Sequence, residues 1–441
     1  MTKKIPKWLA ESAVYQINPR TFSAAGTIQA VTEELPFLAK LGFGILYLCP
    51  VFREDACEDE TNWSERQKKS KTENPKNPYR ISNYFEIDEE YGTMADLKDF
   101  IQQAHRLGMH VLLDLVYAHL APNSDILKIY PQFAQHDENG KIRYSPWHFP
   151  LTNYACAGLR EYLWSNMTYY VGEIGADGFR CDVGDMVPLD FWLEGRRRIQ
   201  AIKPDAVLIN EGSNWEYLVE GFDASYCFQW HEDLYQMLSG SISASEMQSR
   251  EEQRKTLLPA GARLLRDLDN HDTVTDWPQR SERLAGHDGM EAALALNYLI
   301  DGIPMVYCGN ELADTAHLSM FANRFHMGAF EVTNRAQKES DAAIRRMERI
   351  SILNSLRKNY KSISYGQTEW FSSASLSSVI AFKRHYEGES LFFAVNFGTD
   401  SVSFSLDGQE AKTILFYHQA ECVDFREITL SPNGYLLILL K

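Results

Sequence analysis

The sequence predicts an α/β fold. Eight strand–helix repeats close into a (β/α)8 TIM barrel, with a short inserted domain after strand 3 and a C-terminal all-β sandwich domain. Three observations carry this expectation. Short apolar runs alternate with helix-like stretches over about 300 residues, the rhythm of a parallel barrel. Carboxylates stand at the C-terminal ends of different runs, at Asp182, Glu211 and, within Asn270-His271-Asp272, at Asp272; a barrel places its chemistry at that end of its strands. From about residue 362 the pattern turns to short β-like runs separated by turn signals.

The candidate barrel strands are 13–18, 44–49, 110–115, 178–182, 207–211, 224–228, 263–268 and 303–308. Before the third of them, residues 97, 100, 101, 104 and 107 are apolar at helical spacing, and Gly108 follows as a C-cap. A doubly wound open sheet is the rival architecture. It would carry a glycine-rich phosphate turn after the first strand, and the sequence has none there. Two segments break the rhythm. Residues 119–153 are polar, aromatic and proline-bearing, and are expected to form a small domain over the barrel top. Residues 53–78 are dense in Lys, Glu and Asn, and read as a solvated loop or, alternatively, as a lid over the site. The barrel is expected at 1–118 and 154–360, the inserted domain at 119–153, and the all-β domain at 361–441. Strands in that last domain are expected at 370–371, 378–382, 391–395, 401–406, 413–417 and 435–440, with turns at Asp407-Gly408 and Asn433-Gly434.

Composition narrows the partners. A hydrophobic content of 44% over 441 residues supplies a sizeable core. A net charge of −16 argues against nucleic acid or an anionic membrane surface. The two lysines at positions 3 and 4 are not followed by the roughly 7–15 apolar residues of a signal peptide. No run approaches the roughly 18 apolar residues of a membrane span. The cysteines number seven, are scattered, and include no CxxC pair, so zinc and redox motifs are not expected. Reduced, packed thiols in a cytoplasmic protein are the expectation. Most of the 22 Tyr and 9 Trp are read as core, with a minority lining a ring-stacking cleft.

Seven places along the chain together carry a family resemblance. Asp114-Leu115-Val116-Tyr117-Ala118-His119 resembles a D-x-V-x-N-H motif on the third strand. Gly178-Phe179-Arg180-Cys181-Asp182 matches G-F-R-x-D on the fourth, and Glu211 ends the fifth. Asn270-His271-Asp272 matches N-H-D after the seventh. The run from Gly302 to Glu311 matches G-x-P-x-x-Y-x-G-x-E on the eighth, and Tyr91-Gly92-Thr93 and the closing Ser431-Pro432-Asn433-Gly434-Tyr435 also fit. In this order the motifs resemble the α-amylase superfamily, glycoside hydrolase family 13, over nearly the whole chain.

The resemblance implies a retaining α-glycoside hydrolase acting through a covalent glycosyl-enzyme intermediate. Such cleavage sets a nucleophile and an acid/base on opposite sides of the glycosidic bond. Asp182 is then expected to attack the anomeric carbon. Glu211 is expected to protonate the leaving oxygen and later activate water, a role that wants a raised pKa. Asp272 is expected to bind sugar hydroxyls in the transition state. Arg180 lies two residues before Asp182, on the same strand face, and can orient its carboxylate. The resemblance further implies that His119 and His271 grip glucosyl hydroxyls, that Tyr79 stacks under the ring, that Asp114 braces Arg180, and that Arg324 lines the donor side.

Departures from the family pattern bear on specificity. Ala118 replaces an asparagine that ligates calcium in many relatives, so that site is expected to be lost. No cofactor is expected, and calcium at another position stays open. Val183-Gly184-Asp185-Met186 replaces a Lys-His acceptor grip. The stretch from Asp182 to Val187, with Phe191-Trp192, resembles neopullulanase-like and cyclomaltodextrinase-like members, which act on short maltooligosaccharides. An oligosaccharide or α-glucan substrate is expected, with no nucleic acid or membrane partner and an open oligomeric state. The alternatives are a transglycosylase or isomerase on the same scaffold, or a non-catalytic relative. A metal-dependent barrel hydrolase would need a His-x-His pair on the first strand, which reads Tyr15-Gln16-Ile17-Asn18.

Overall fold

The computed structural model describes residues 5–371, 376–406, 411–423 and 427–441. The lysines at 3 and 4 and the turn expected at Asp407-Gly408 lie outside the described residues. The barrel strands are β1 (Val14–Ile17), β2 (Ile45–Leu48), β5 (His110–Leu115), β6 (Gly178–Cys181), β7 (Val207–Asn210), β8 (Ala224–Ser225), β9 (Leu265–Asp267) and β10 (Ile303–Tyr307). They pair in parallel in the order β8-β7-β6-β5-β2-β1-β10-β9. The ring closes where the Ser225 amide donates to the Arg263 carbonyl at 3.0 Å. Residues 226–228 of the expected sixth strand leave the sheet, because the helix Phe228–Leu238 begins there.

Alternation along each strand sorts the side chains into two layers. Val14, Ile45, Tyr47, Leu112, Val207, Ile209, Leu265, Ile303 and Met305 fill the barrel interior, and Leu9 plugs its lower end. Tyr15, Ile17, Leu46, Leu48, Val111, Leu113 and Leu115 face the helices instead. Gly178 opens β6 at φ 151°, and a Cβ there would stand 2.2 Å from the Val207 carbonyl. Only glycine lets β6 approach β7 this closely.

The 53–78 insertion is folded rather than a solvated loop. It begins in the hairpin of β3 (Phe52–Glu54) with β4 (Ile81–Ile87) and carries a helix, Glu65–Ser70, capped by the Ser64 hydroxyl. The fully buried Arg80 gathers it, donating to the carbonyls of Asp55, Asn62 and Pro75. The 119–153 segment covers the mouth with short bridges, among them His119 with Leu151 and Tyr144 with Pro150.

The C-terminal part is an antiparallel sheet ordered β11 (Gln367–Phe371), β12 (Val379–Tyr386), β13 (Glu389–Asn396), β16 (Glu427–Leu440) and β14 (Val402–Ser405), with β15 (Ala411–Val423) paired to β16. The expected turn at Asn433-Gly434 is a bulge inside β16. Residues 431–434 oppose the single residue Gln419, with Asn433 at φ 59° and Gln419 at φ 44°. Both faces are buried along the central strands β12, β13 and the last part of β16. Phe392, Ala394, Leu436 and Ile438 join a core local to the sheet, while Phe382, Phe393, Val395 and Leu437 join the core of the barrel's outer layer.

Candidate active site

The cavity at the C-terminal mouth of the barrel has a volume of about 670 Å3, counting its open entrance. Asp182, Glu211 and Asp272 all line it, with Tyr79, His119 and His271. Strand geometry explains the meeting. Asp182 and Glu211 each stand one residue past a parallel strand and keep its ladder, their amides donating to Leu115 O (2.9 Å) and Cys181 O (3.0 Å). Asp272 follows β9 on a tight loop, its amide held by Asn270 Oδ1 at 2.9 Å.

Arg180 is the hub beneath the cavity. Asp114 is its register partner on β5, and Nη1 donates to Asp114 Oδ1 and Oδ2 at 2.8 and 3.0 Å and to Asp182 Oδ1 at 2.9 Å. Nη2 lies 2.7 Å from Glu211 Oε2. The guanidinium is sandwiched between the rings of Tyr79 and Tyr226, at 5.8 and 5.5 Å. Arg180 therefore braces the cavity from below and is absent from its lining. Asp114 braces Arg180 in turn, as expected of it, and also accepts from Tyr47 at 2.5 Å.

Glu211 Oε2 also accepts from the Val183 amide at 2.8 Å. Val183 aims that amide from φ 40°, a region in which a β-branched residue is strained. Asp182 Oδ2 and Glu211 Oε1 carry no protein hydrogen bond among the described residues. Burial, with Glu211 and Asp114 nearby, pushes the Asp182 carboxyl up against the pull of Arg180. Asp272 goes the other way. Burial would raise it, but the His271 ring, Arg66 and Arg180 together hold its carboxyl well below the usual range.

Tyr79 and His271 belong to one polar relay. The Tyr79 hydroxyl donates to Asp114 Oδ2 at 3.1 Å and lies 2.6 Å from His271 Nε2. Its single proton goes to the carboxylate, so Nε2 carries the imidazole hydrogen and Nδ1 accepts from Gln16 Nε2 at 2.7 Å. Burial lowers the His271 pKa, which suits this neutral tautomer. The two rings stack at 5.5 Å. His119 is likewise neutral, its pKa pushed down to about 4 by burial. Its Nε2 donates to the Tyr79 carbonyl at 2.8 Å, which leaves the buried Nδ1 as a bare acceptor.

Arg324 is not brought to this cavity. Its Nη1 donates to the carbonyls of Ala25 and Glu90 at 2.9 and 2.8 Å, and its guanidinium lies over the exposed Phe325 ring. Asp185, in the place of the acceptor grip, turns away to hold the Asn210 side chain and the amides of Ser213 and Asn214. The sequence reading missed Arg66, Trp147, Phe149, Asp276, Met320 and Phe321, all of which line the cavity. Only Trp147 and Phe149 had a visible signal, as aromatic residues in a polar segment.

The side chain at position 118 does not suit calcium. The Ala118 side chain has no donor atom. Of the carboxylates that share a cavity with Asn123, Asp88 takes the Lys76 ammonium at 2.6 Å and Asp55 accepts from Asn123.

Comparison with known proteins bears on the fold. Residues 15–153 match the family described as alpha amylase, catalytic domain. Neopullulanase 2 of Thermoactinomyces vulgaris is 25% identical over 368 residues, covering 70% of this chain and 57% of that protein. The intracellular maltogenic amylase of Bacillus subtilis is 24% identical over 451 residues, covering 90% and 70%. Several of the curated relatives are longer, and this chain spans 57% and 45% of two that it matches. Among solved structures, a maltogenic alpha-amylase from Thermotoga neapolitana superposes with a TM-score of 0.81 at 22% identity, over 98% of this chain and 99% of the other. An alpha-amylase from Lactobacillus plantarum gives 0.80 at 23%, over 98% and 100%. The matched segment runs from the first barrel strand through the inserted segment, so residues 15–153 resemble an alpha-amylase catalytic domain, and the whole chain shares the fold of these solved structures.

Proposed function

We propose that the protein is a retaining α-glycoside hydrolase that cleaves α-glucosidic bonds in short maltooligosaccharides and related α-glucans. The observation that carries this is the sharing of one buried guanidinium by Asp182 and Glu211, each with one oxygen bound and one left for substrate. Arg180 holds Asp182 Oδ1, so Oδ2 is the oxygen aimed at the anomeric carbon. Glu211 Oε2 is filled by Arg180 and the Val183 amide, so Oε1 carries the proton to the leaving oxygen. The bond from the anomeric carbon to the leaving oxygen breaks as that to Asp182 forms. In the second step Glu211 takes a proton from water, and the resulting hydroxide oxygen replaces Asp182 at the same carbon.

The remaining groups bind the sugar. Asp272, held ionised, accepts from hydroxyls of the oxocarbenium-like ring. The Tyr79 ring offers a face for it, and His119 lines the cavity edge. Burial of Asp182 raises its pKa, and the hydrogen bond from Arg180 pulls the other way, toward the charged form needed for attack. The donors around Ala118 suggest an enzyme that needs no calcium there. The name of the intracellular Bacillus subtilis relative, and a chain with no helix long and apolar enough to cross a membrane among the described residues, favour a cytoplasmic location.

A product profile tests this reading. The protein is incubated separately with maltotriose, isomaltose, pullulan, cyclodextrin and starch, and the sugars are separated over time. Smaller sugars alone are expected, and the fastest substrate assigns the linkage. Products longer than the starting sugar, or an isomer of the same mass, would replace hydrolysis by transglycosylation or isomerisation. Unchanged sugars throughout would overturn the enzymatic reading.

A further inference from the structure

The loops over the barrel mouth are joined across one side of the cavity. Arg66, on the Glu65–Ser70 helix, reaches Asp272 Oδ1 with Nη2 at 2.8 Å and Asp276 Oδ1 with Nε at 2.9 Å. Its guanidinium lies over the Phe321 ring at 5.9 Å. A second tie runs alongside, the Asn74 side chain donating to the Phe321 carbonyl at 2.9 Å. The helix cannot drift from these anchors independently of the site. Gln67, 1% exposed, donates to Asn74 O and accepts from Asn77, whose Oδ1 takes the Tyr79 amide. In ring order β2 is followed by β1, β10 and β9. The insertion that leaves β2 thus arches past β1 to the loops after β10 and β9.

The chemistry tells which end of the substrate meets this arch. The acid must touch the leaving oxygen, so the departing sugars lie on the side of Glu211 and Val183, after β7 and β6. Asp272 faces the sugar that stays on the enzyme, and the arch stands behind Asp272. We propose that Arg66 walls off this side of the cavity and makes the enzyme exo-acting: it seats the non-reducing end of an α-glucan against the Arg66–Asp272–Asp276 bridge and admits no chain beyond it. This rests on the hydrolase reading above and adds the direction and the residue that set it. An arginine suits the task because one planar guanidinium can span two carboxylates, which a lysine ammonium does less well.

The test uses two α-glucan oligosaccharides of one length and linkage, one free and one with an ethylidene acetal on its non-reducing-end hydroxyls. Wild type is expected to cut the free sugar at least about 100-fold faster, as a filled pocket rejects a group it cannot admit. Arg66→Ala is expected to bring that ratio to within about 10-fold, and Arg66→Lys to fall between. Asp276→Ala, which leaves Asp272 intact, serves as an independent cut of the same bridge, and both variants are checked by circular dichroism. Comparable cleavage of both sugars by wild type would overturn the exo proposal and leave the hydrolase standing. So would an undiminished ratio in both Arg66→Ala and Asp276→Ala. If wild type cuts neither sugar, the hydrolase reading falls and the proposal with it.

Discussion

Replacing Tyr79 by Phe removes one oxygen from the relay under the cavity and leaves the ring in place. The oxygen serves Asp114 at 3.1 Å and His271 at 2.6 Å. Asp114 keeps two contacts from Arg180 and one from Tyr47, so the loss falls on His271. That ring is 2% exposed, and its Nε2–H would keep only the longer contact to Asp272 at 3.5 Å. An orphaned buried donor costs about 1–3 kcal/mol. If His271 holds the sugar in the transition state, this corresponds to roughly 5- to 150-fold in kcat/KM, at 1.36 kcal/mol per tenfold. The aromatic face remains, so the loss should appear mainly in kcat. Tyr79→Ala removes the face as well, and should cost a further 0.5–1.5 kcal/mol or so, with a raised KM. Steady-state kinetics of both variants on the best oligosaccharide decide the matter. A Phe variant with wild-type kcat/KM would refute the relay, and equal losses in Phe and Ala would refute the platform.

Other outcomes follow from the same geometry. Asp182→Asn should abolish turnover while leaving the fold and oligosaccharide binding intact, as read by calorimetry; wild-type activity without deamidation would sink the nucleophile assignment. His119 titrates near 4 in the folded protein against about 6.5 unfolded. The unfolded chain therefore binds the proton first. The contribution of His119 to stability is whole above pH 6.5 and falls by roughly 2–3 kcal/mol as pH drops towards 4. Urea midpoints at pH 7 and 4.5 should show this fall, and His119→Gln should lessen it. Dialysis against EDTA should leave activity and the unfolding midpoint unchanged, since the Ala118 side chain offers no ligand and Lys76 already neutralises Asp88; a drop reversed by calcium would disprove it.

The features that sequence revealed are those whose cause is local. A buried parallel strand is a short apolar run, and a polar residue at its end marks the mouth, so Asp182 and Glu211 could be placed from their own neighbours. The link from Arg180 to Asp182 was open to the same reasoning, because strand parity puts residue 180 on the face of residue 182. Arg66 was hidden for the opposite reason. Its partners Asp272 and Asp276 lie 206 and 210 residues away, and an arginine in a Lys- and Glu-rich stretch looks like any solvated charge. Arg324 failed in reverse: its sequence position resembles a site residue, but the carbonyls of Ala25 and Glu90 capture its guanidinium. Asn433-Gly434 has turn chemistry and a positive φ at Asn433, and β16 uses both for a bulge. Only cross-strand register separates a bulge from a turn.

The burial of the central strands of the C-terminal sheet on both faces makes it a poor candidate for removal. One row of its side chains, including Phe382, Phe393, Val395 and Leu437, is continuous with the packing of the barrel's outer layer, where the helix Ser281–Leu299 lies against β13 and β16. A barrel expressed alone would present that contact as bare apolar surface and associate through it. The sheet therefore behaves as a tail sewn to its coat: shuffling or truncation has to move it together with the barrel, and a boundary drawn by sequence at residue 361 is not a place to cut.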